Sequence, residues 1–410
     1  MKKNQKEEIS GKSSHHATSL ISILSASAIG LATIGLFFVY EASSILSLYQ
    51  RDNSFYYVKL QLIWFLMGIF CVFIFTILPY QWLCKSSTFI LFIVGILLIL
   101  VLFSPSAKGA SRWINLGYFN LQPSELLKFS LILYLPYWLK MKNSSFFAFL
   151  ILLISLVFLL MMQPDMGTTI VVLSVSATIY FLSDKNSFPL FAFIPFGVIS
   201  FVILIITTPY RLARLTGFLN PDADPLGSTY HIKQILIALS SGGWFGKGFG
   251  ASRQKYLYLP EAHTDSIFAI VGEEFGFIGA SFTVVFYAIF VLLLYKAYEQ
   301  IQNPLGKLVS AGIFAFFSSQ IIVNLCSMVG LFPLTGVPLP FFSYGGSHTI
   351  ITFSLIGILF NILIQEKKEN SKDEDEDEDE ESAYKSRKKI KKIKTLSRSL
   401  LKGKNYKIKR

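Results

Sequence analysis

Glu261, His263 and Asp265 alternate within Lys255-Tyr-Leu-Tyr-Leu-Pro-Glu-Ala-His-Thr-Asp-Ser-Ile-Phe-Ala-Ile-Val-Gly-Glu-Glu274, a segment that runs straight into a long apolar stretch. With Glu273 and Glu274 this puts five ionisable groups at the edge of a membrane-length run. Unpaired charge is costly there and persists where function needs it. The pattern points to chemistry at a membrane surface.

Five further patches carry usable side chains. Lys108-Gly-Ala-Ser-Arg-Trp-Ile-Asn-Leu-Gly117 is followed by Gln122-Pro-Ser-Glu-Leu-Leu-Lys128. Pro123 suits the first turn of a helix, so Glu125 and Lys128 share a face at i,i+3 and pair, either within a site or as a packing contact. Trp113 equally fits an interfacial anchor. In Gln163-Pro-Asp-Met-Gly-Thr168, Asp165 is read as the cap of the next helix or as a site carboxylate. The third patch, Asn220-Pro-Asp-Ala-Asp-Pro-Leu-Gly-Ser-Thr-Tyr-His231, is an ordered loop whose Asp222 and Asp224 form a weak cation-binding pair without a full ligand set. Ser240-Ser-Gly-Gly-Trp-Phe-Gly-Lys-Gly-Phe-Gly250 fails the Walker A spacing, because Ser241 and Gly248 stand at its first and last positions; a nucleotide site is rejected. Glycines at that density still let backbone N–H groups approach an anion. Pro333-Leu-Thr-Gly-Val-Pro-Leu-Pro-Phe-Phe-Ser-Tyr-Gly-Gly-Ser347 prohibits a straight helix and has to be buried in protein or line a cavity.

The elements that position these patches follow from composition. The 410-residue chain is 53% hydrophobic and 15% charged, too apolar for a soluble domain of its length. Runs of about 17–25 apolar residues cross a bilayer, and ten are marked at 19–40, 57–78, 87–103, 123–140, 146–162, 167–183, 188–207, 266–295, 308–330 and 346–365. The expected fold is an all-α polytopic membrane protein of about ten transmembrane helices, with a long extracytoplasmic loop, 208–265, between spans 7 and 8. Ser25-Ala-Ser-Ala28 resembles a signal-peptide cleavage site, but the apolar run continues to Tyr40, so the first span is read as a retained anchor. Cys71, Cys84 and Cys326 have no C-x-x-C spacing, which removes disulfide and metal-thiolate chemistry.

Lysine placement sets the expected orientation in the cell membrane. With residues 1–18 as a cytoplasmic tail, Lys85, Lys140, Lys142, Lys185, Lys296 and Lys307 fall in cytoplasmic loops and both termini are inside. Two outer segments break the trend. One holds Lys108 and Arg112; the other holds Arg211, Arg214, Lys233, Lys247, Arg253 and Lys255. A phosphate or pyrophosphate bound at the outer leaflet accounts for them, and so does plain solvated loop charge. Residues 366–410 pass from an acidic run, Asp373–Glu381, to a basic one, a disordered cytoplasmic tail by composition. It is solvated or lies on anionic membrane lipid, and nucleic acid is not an expected partner.

Lys108–Gly117, Gln122–Lys128, Gln163–Thr168, Asp224–Gln234, Leu259–Glu274 and Val337–Ser347 resemble, in order, the signature segments of the SEDS family. The resemblance spans residues 20–365. It implies a ten-helix glycosyltransferase, active site facing outside, that polymerises lipid II (undecaprenyl-pyrophosphate disaccharide peptide) into glycan strands beside a class B penicillin-binding protein and other division proteins. Leu-Pro-Glu-Ala-His-Thr-Asp at 259–265 is more similar to the FtsW, or division, branch than to the RodA, or elongation, branch. The resemblance assigns Asp265 as general base. It makes Lys108, Arg112, Arg253 and Lys255 pyrophosphate contacts, and Trp113, Glu125, Lys128, Glu261 and His263 further substrate contacts. A divalent cation, Mg or Mn, on the pyrophosphate is compatible with this chemistry, whereas no protein metal ligands and no organic cofactor are assigned. Ser266 and His348 depart from the family pattern, where Phe and a small residue are usual. Two rivals remain: a lipid II flippase, which needs polar groups along the whole path, and a non-catalytic scaffold, which leaves Asp265 dispensable.

Overall fold

The computed structural model describes residues 2–104, 112–141 except 116, 118 and 119, 144–183, 209–224 and 227–371 except 228, with isolated positions 185, 188, 191, 206, 384, 387 and 388; for 2–18 it describes the backbone alone. Eleven helices and one hairpin are found among them: α1 (Lys2–Arg51), α2 (Tyr56–Ile77), α3 (Tyr80–Val101), β1 (Ile114–Asn115), β2 (Asn120–Leu121), α4 (Pro123–Leu139), α5 (Phe146–Met162), α6 (Met166–Leu182), α7 (Pro209–Leu219), α8 (Tyr230–Gly242), α9 (Ile267–Gln300), α10 (Pro304–Met328) and α11 (Gly346–Ser371). The chain divides into two units, residues 19–363, and residues 1–18 with 364–410.

Nine of the expected spans are helices here, and the protein is an all-α, multi-pass membrane protein. The seventh expected span, 188–207, lies largely outside the described residues, as does most of the charged tail. Helix α1 begins at Lys2, not at residue 19, in keeping with the helix-forming Lys, Gln and Glu of that segment. The loop between spans 7 and 8 is also more structured than expected. It contains α7 and α8, and α8 buries Ile232, Ile235 and Ala238 along one face. At 11 and 13 residues neither is long enough to span a bilayer, so neither gave a membrane-length run.

Which helices lie inside follows from their small and polar residues. Lipid tails are as apolar as leucine, so helices associate through close packing and interhelical hydrogen bonds. Helices α2 and α5 are nearly uniform in large apolar residues and expose Leu66, Phe70, Phe73, Phe147 and Phe158. Helices α4, α6, α10 and α11 form the interior and carry Ser130, Thr169, Ser176, Ser310, Gln320, Asn324, Thr352 and Asn361, all buried. Asn361 shows the principle: its Oδ1 accepts the Tyr80 N–H at 3.1 Å and its Nδ2 donates to the Thr76 carbonyl at 2.7 Å, pinning α11 to the α2–α3 corner.

At the opposite end of the bundle the irregular segments meet. Gln61 of α2 donates to Thr349 Oγ1 at 3.1 Å and accepts the Gly345 N–H at 3.1 Å. Arg211 reaches the Met161 carbonyl at 2.5 Å, Arg214 the Leu334 carbonyl at 2.6 Å, and Gln163 the Leu98 carbonyl at 3.0 Å. The hairpin β1–β2 was not foreseen; Asn115 Oδ1 accepts the Gly117 N–H at 2.7 Å and turns the chain there.

Helix α9 is bent at Gly276, whose φ of 66° and ψ of −161° no L-residue adopts without strain. The glycine-rich loop fills the break. Lys247 N–H donates to the Glu273 carbonyl at 3.0 Å, Gly248 N–H to the Glu274 carbonyl at 3.1 Å, and Phe277 N–H to the Gly243 carbonyl at 2.8 Å. These amides meet carbonyls, whereas the backbone N–H groups of Gly250 and Ser252 meet the Glu274 carboxylate. Gly246 sits at φ 81°, and a Cβ there would fall on the Glu274 carbonyl. Gly246→Ala is therefore expected to cost at least ~1–3 kcal/mol for the backbone strain alone, read as a lower melting temperature of the detergent-purified protein.

Candidate active site

Asp265 is the last residue before Ser266, which stands at the N-cap position of α9 without a side-chain capping bond. It is 9% exposed. Its main chain is held by Asn324 of α10, whose Nδ2 donates to the carbonyls of Asp265 at 2.9 Å and Val337 at 2.7 Å, so one amide registers the site loop against the proline-rich segment. Gly336, at φ 75°, faces the carboxylate, and a Cβ added there would lie 3.6 Å from Asp265 Oδ2. Oδ1 accepts from Thr264 Oγ1 at 3.1 Å.

Burial pushes the Asp265 carboxyl above the ordinary aspartate range; Glu261 pushes the same way, while His231, Arg214 and the Thr264 hydroxyl oppose it. His231 comes from α8 and Arg214 from α7. The link that brings α8 here is His231 Nε2 to Ser266 Oγ at 2.7 Å. Ser266, a departure from the family pattern, is thus fully buried and bonded to α8.

His263 packs its ring 4.8 Å from that of Tyr57 and 5.4 Å from that of Tyr344, and its carbonyl accepts the Tyr344 N–H at 2.9 Å. It joins α2 to the proline-rich segment. Glu261, at φ 50°, places Oε2 3.1 Å from Thr264 Oγ1. Glu261, Thr264 and Asp265 therefore form one connected group.

A second polar cluster is buried at the start of α4. Lys128 Nζ lies 2.7 Å from Glu125 Oε1, as the i,i+3 spacing implied, and His348 Nδ1 lies 3.3 Å from Glu125 Oε2. Lys128 Nζ also stands 5.4 Å from the centre of the Phe316 ring. His348 is therefore the third member of this cluster. Nothing in the sequence pairs it with a residue 223 positions away.

The remaining basic candidates are placed differently. Lys108 lies outside the described residues. Arg112 donates to the carbonyls of Gln163, at 3.0 Å, and Pro164, bracing the α5–α6 turn. Asp165 caps α6 by accepting the Thr168 N–H at 3.2 Å, and it also accepts from Ser124 Oγ at 3.4 Å. Trp113 and the Arg253 side chain are exposed. Lys255 is buried between Glu41 at 2.8 Å and Glu274 at 3.4 Å. Glu273 accepts from Lys247 Nζ at 2.6 Å, Ser252 Oγ at 2.5 Å and the N–H groups of Arg253 and Gln254, both at 3.2 Å. Glu273 and Glu274 are thus buried in ion pairs that hold the loop onto α9.

No group of three or more His, Cys, Asp or Glu side chains among the described residues is arranged to hold a metal ion. Asp222 instead pairs with Lys233 at 2.8 Å on the surface. The described residues do not fit a cation held by protein ligands alone.

The sequence pattern of the family described as "Cell cycle protein" (FtsW/RodA/SpoVE) matches residues 22–368. The chain is 37% identical to the probable peptidoglycan glycosyltransferase FtsW of Trichlorobacter lovleyi over 350 residues, 82% of this chain and 90% of that protein. It is 35% identical to the stage V sporulation protein E of Bacillus subtilis over 344 residues, 81% of this chain and 93% of that one. In fold it is similar to a chain of a peptidoglycan synthase complex that coordinates polymerization and crosslinking, with TM-score 0.68 and 24% identity over 84% of this chain and 97% of that chain. It is also similar to the rod shape determining protein RodA of Thermus thermophilus, with TM-score 0.63 and 23% identity over 84% and 96%. With the family pattern matched over most of its length, the chain belongs to the FtsW/RodA/SpoVE family of cell cycle proteins.

Proposed function

We propose that this protein is an FtsW-like peptidoglycan glycosyltransferase that polymerises lipid II at the outer face of the cell membrane during division. The observation that carries the reading is Asp265, a buried carboxylate at the end of the bundle where the irregular segments meet, with His231 and Arg214 facing it. Joining the 4-hydroxyl of one disaccharide to the anomeric carbon of the next requires a base within hydrogen-bond reach of that hydroxyl. Asp265 fills that role. Its raised proton affinity makes it a stronger base than an exposed aspartate.

The departing undecaprenyl pyrophosphate needs cations. Arg214 joins Lys108, Arg112 and Arg253 as the groups to test, and Lys255 is the weakest of them because Glu41 and Glu274 already hold it. Glu125 and Lys128 are proposed to line the substrate cavity. A class B penicillin-binding protein, which cross-links the strands, is the proposed partner, alongside other division proteins. The FtsW-type relatives favour this branch over RodA-like elongation.

The deciding experiment is polymerisation of purified lipid II by the reconstituted protein, with and without its penicillin-binding protein. Glycan strands are expected with the pair, and transbilayer movement of lipid II without strands would favour the flippase reading. Both termini are proposed to be cytoplasmic and residues 208–265 outside, from the lysine placement. In a cysteine-free background, a Cys at 222 is expected to be labelled by an impermeant reagent in intact cells. Labelling only after permeabilisation would reverse the topology.

A further inference from the structure

We propose that Thr264 and Glu261 form a proton outlet for Asp265: the Thr264 hydroxyl bridges the two carboxyl groups and passes on to Glu261 the proton that Asp265 takes from substrate. This deepens the glycosyltransferase reading and rests on it. Thr264 Oγ1 lies 3.1 Å from Asp265 Oδ1 and 3.1 Å from Glu261 Oε2, and it also lies 3.1 Å from the Glu261 carbonyl. A hydroxyl has one proton to give and two lone pairs to receive. Between two ionised carboxylates it satisfies only one of them; with a proton on either, both contacts become hydrogen bonds. The arrangement suits a cluster holding one shared proton.

Burial makes Asp265 hold the proton more tightly, so the step to Glu261 is uphill and is drawn forward by release to water. Asp265 is 9% exposed, whereas Glu261 is only half-buried and exchanges protons with water more readily. Glu261 occupies the left-handed region at φ 50°, a conformation that costs a non-glycine residue roughly 1–3 kcal/mol. Its carbonyl holds that turn by accepting the N–H groups of Thr264 at 3.1 Å and Ser266 at 3.2 Å. Among the described residues, charged and titratable groups facing the cluster include His231 of α8 and Arg214 of α7 toward Asp265, and Tyr57 of α2 toward Glu261.

The proton balance closes within the cluster. As the acceptor O–H breaks and its electron pair attacks the anomeric carbon, the bond from that carbon to the pyrophosphate oxygen breaks, undecaprenyl pyrophosphate leaves with the bonding pair, and the proton bonds to the Asp265 carboxylate. A half-turn of the carboxyl presents it to Thr264. The proton then passes to Thr264 Oγ1 while the hydroxyl's own proton moves to Glu261 Oε2. Asp265 is again a carboxylate, Thr264 is unchanged, and Glu261 releases the proton to water.

The test compares Thr264→Val, which keeps the shape and loses the hydroxyl, with Thr264→Ser, which keeps the hydroxyl. Both are assayed in the reconstituted complex with lipid II. For Thr264→Val the first glycosyl transfer in a rapid-quench experiment is expected to lose much less than steady-state turnover does. Its steady-state polymerisation should be slower on the order of tenfold and should recover as the concentration of a small buffer such as imidazole is raised. Thr264→Ser is expected to behave as the parent. Glu261→Gln should show the same steady-state loss and should move the acid limb of the pH–rate profile to lower pH, because it removes the negative charge that raises the proton affinity of Asp265. Steady-state rates at the parental level in Thr264→Val overturn the relay, and so does a first transfer slowed as much as the steady state, which marks a purely structural role. Parental protein that makes no glycan ends the glycosyltransferase reading itself, a different result from either.

Discussion

Asp265→Asn is expected to yield no visible glycan polymer from lipid II and yet to melt at a higher temperature than the parent at neutral pH. The first half follows from the proposed base: removing it costs about 10²–10⁴ in rate while the amide keeps the shape. The second half follows from proton linkage. Burial, with Glu261 adding to it, makes folded Asp265 hold its proton more tightly than the unfolded chain does. Folding stability associated with this group is therefore present at low pH and lost as pH rises from the ordinary aspartate value through the raised native one. Above that window the carboxylate opposes folding and an amide does not. Thermal unfolding at neutral and acidic pH checks the sign, since the gap between variant and parent should narrow on acidification. A variant that polymerises at the parental rate removes Asp265 from the base role. In the parent, the polymerisation rate should fall as pH drops through the raised native value, while His263→Ala should be milder because its ring packs between tyrosines.

Lys128→Met is expected to be among the most damaging single changes to the fold. Lys128 and Glu125 are both buried and 2.7 Å apart, so removing the ammonium leaves a carboxylate inside the bundle with, among the described residues, His348 against it. Breaking a buried pair from one side costs about 3–5 kcal/mol, whereas replacing both partners with neutral groups of similar volume is often close to neutral. The double variant Glu125→Gln/Lys128→Met should accordingly regain most of the monodisperse yield and melting temperature lost by Lys128→Met. A double variant no better than the single one would show that packing around Phe316, and not charge, is what Lys128 supplies.

The fold was legible because it rests on run length and composition. Nine of the ten marked runs are helices, with ends within a few residues for most of them; α3 starts seven residues early, at Tyr80 in place of 87, because Pro79 and not a change in hydropathy begins it. The Glu125–Lys128 pair was legible because one helix turn contains it. What escaped depends on distance along the chain. His231 meets Ser266, Asn324 reaches Asp265, and His348 meets Glu125 across 35, 59 and 223 positions, and no local pattern encodes such meetings. The glycine-rich loop is hard to read for another reason. Backbone amides exposed by glycines look the same in sequence whether they meet a phosphate or, as here, the carbonyls of a bent helix. Arg112 and Lys255, which the resemblance makes pyrophosphate contacts, also have partners within the fold that no local pattern announces.

The hydrogen bonds that join the interior to α11 have a consequence for assembly. Gln61 to Thr349, Tyr80 to Asn361 and Glu125 to His348 connect residues 288, 281 and 223 positions apart. The seam between the glycine-rich loop and α9, by contrast, closes over about 20 to 30 positions. Contacts of short separation form early, and those of long separation wait for the chain that supplies them. During synthesis the loop bearing Asp265 can thus settle on α9 while α2, α3 and α4 still lack their final polar partners. A nascent chain ending before residue 346 holds a near-finished Asp265 loop in an open bundle, and arrival of the last span is the step that closes it.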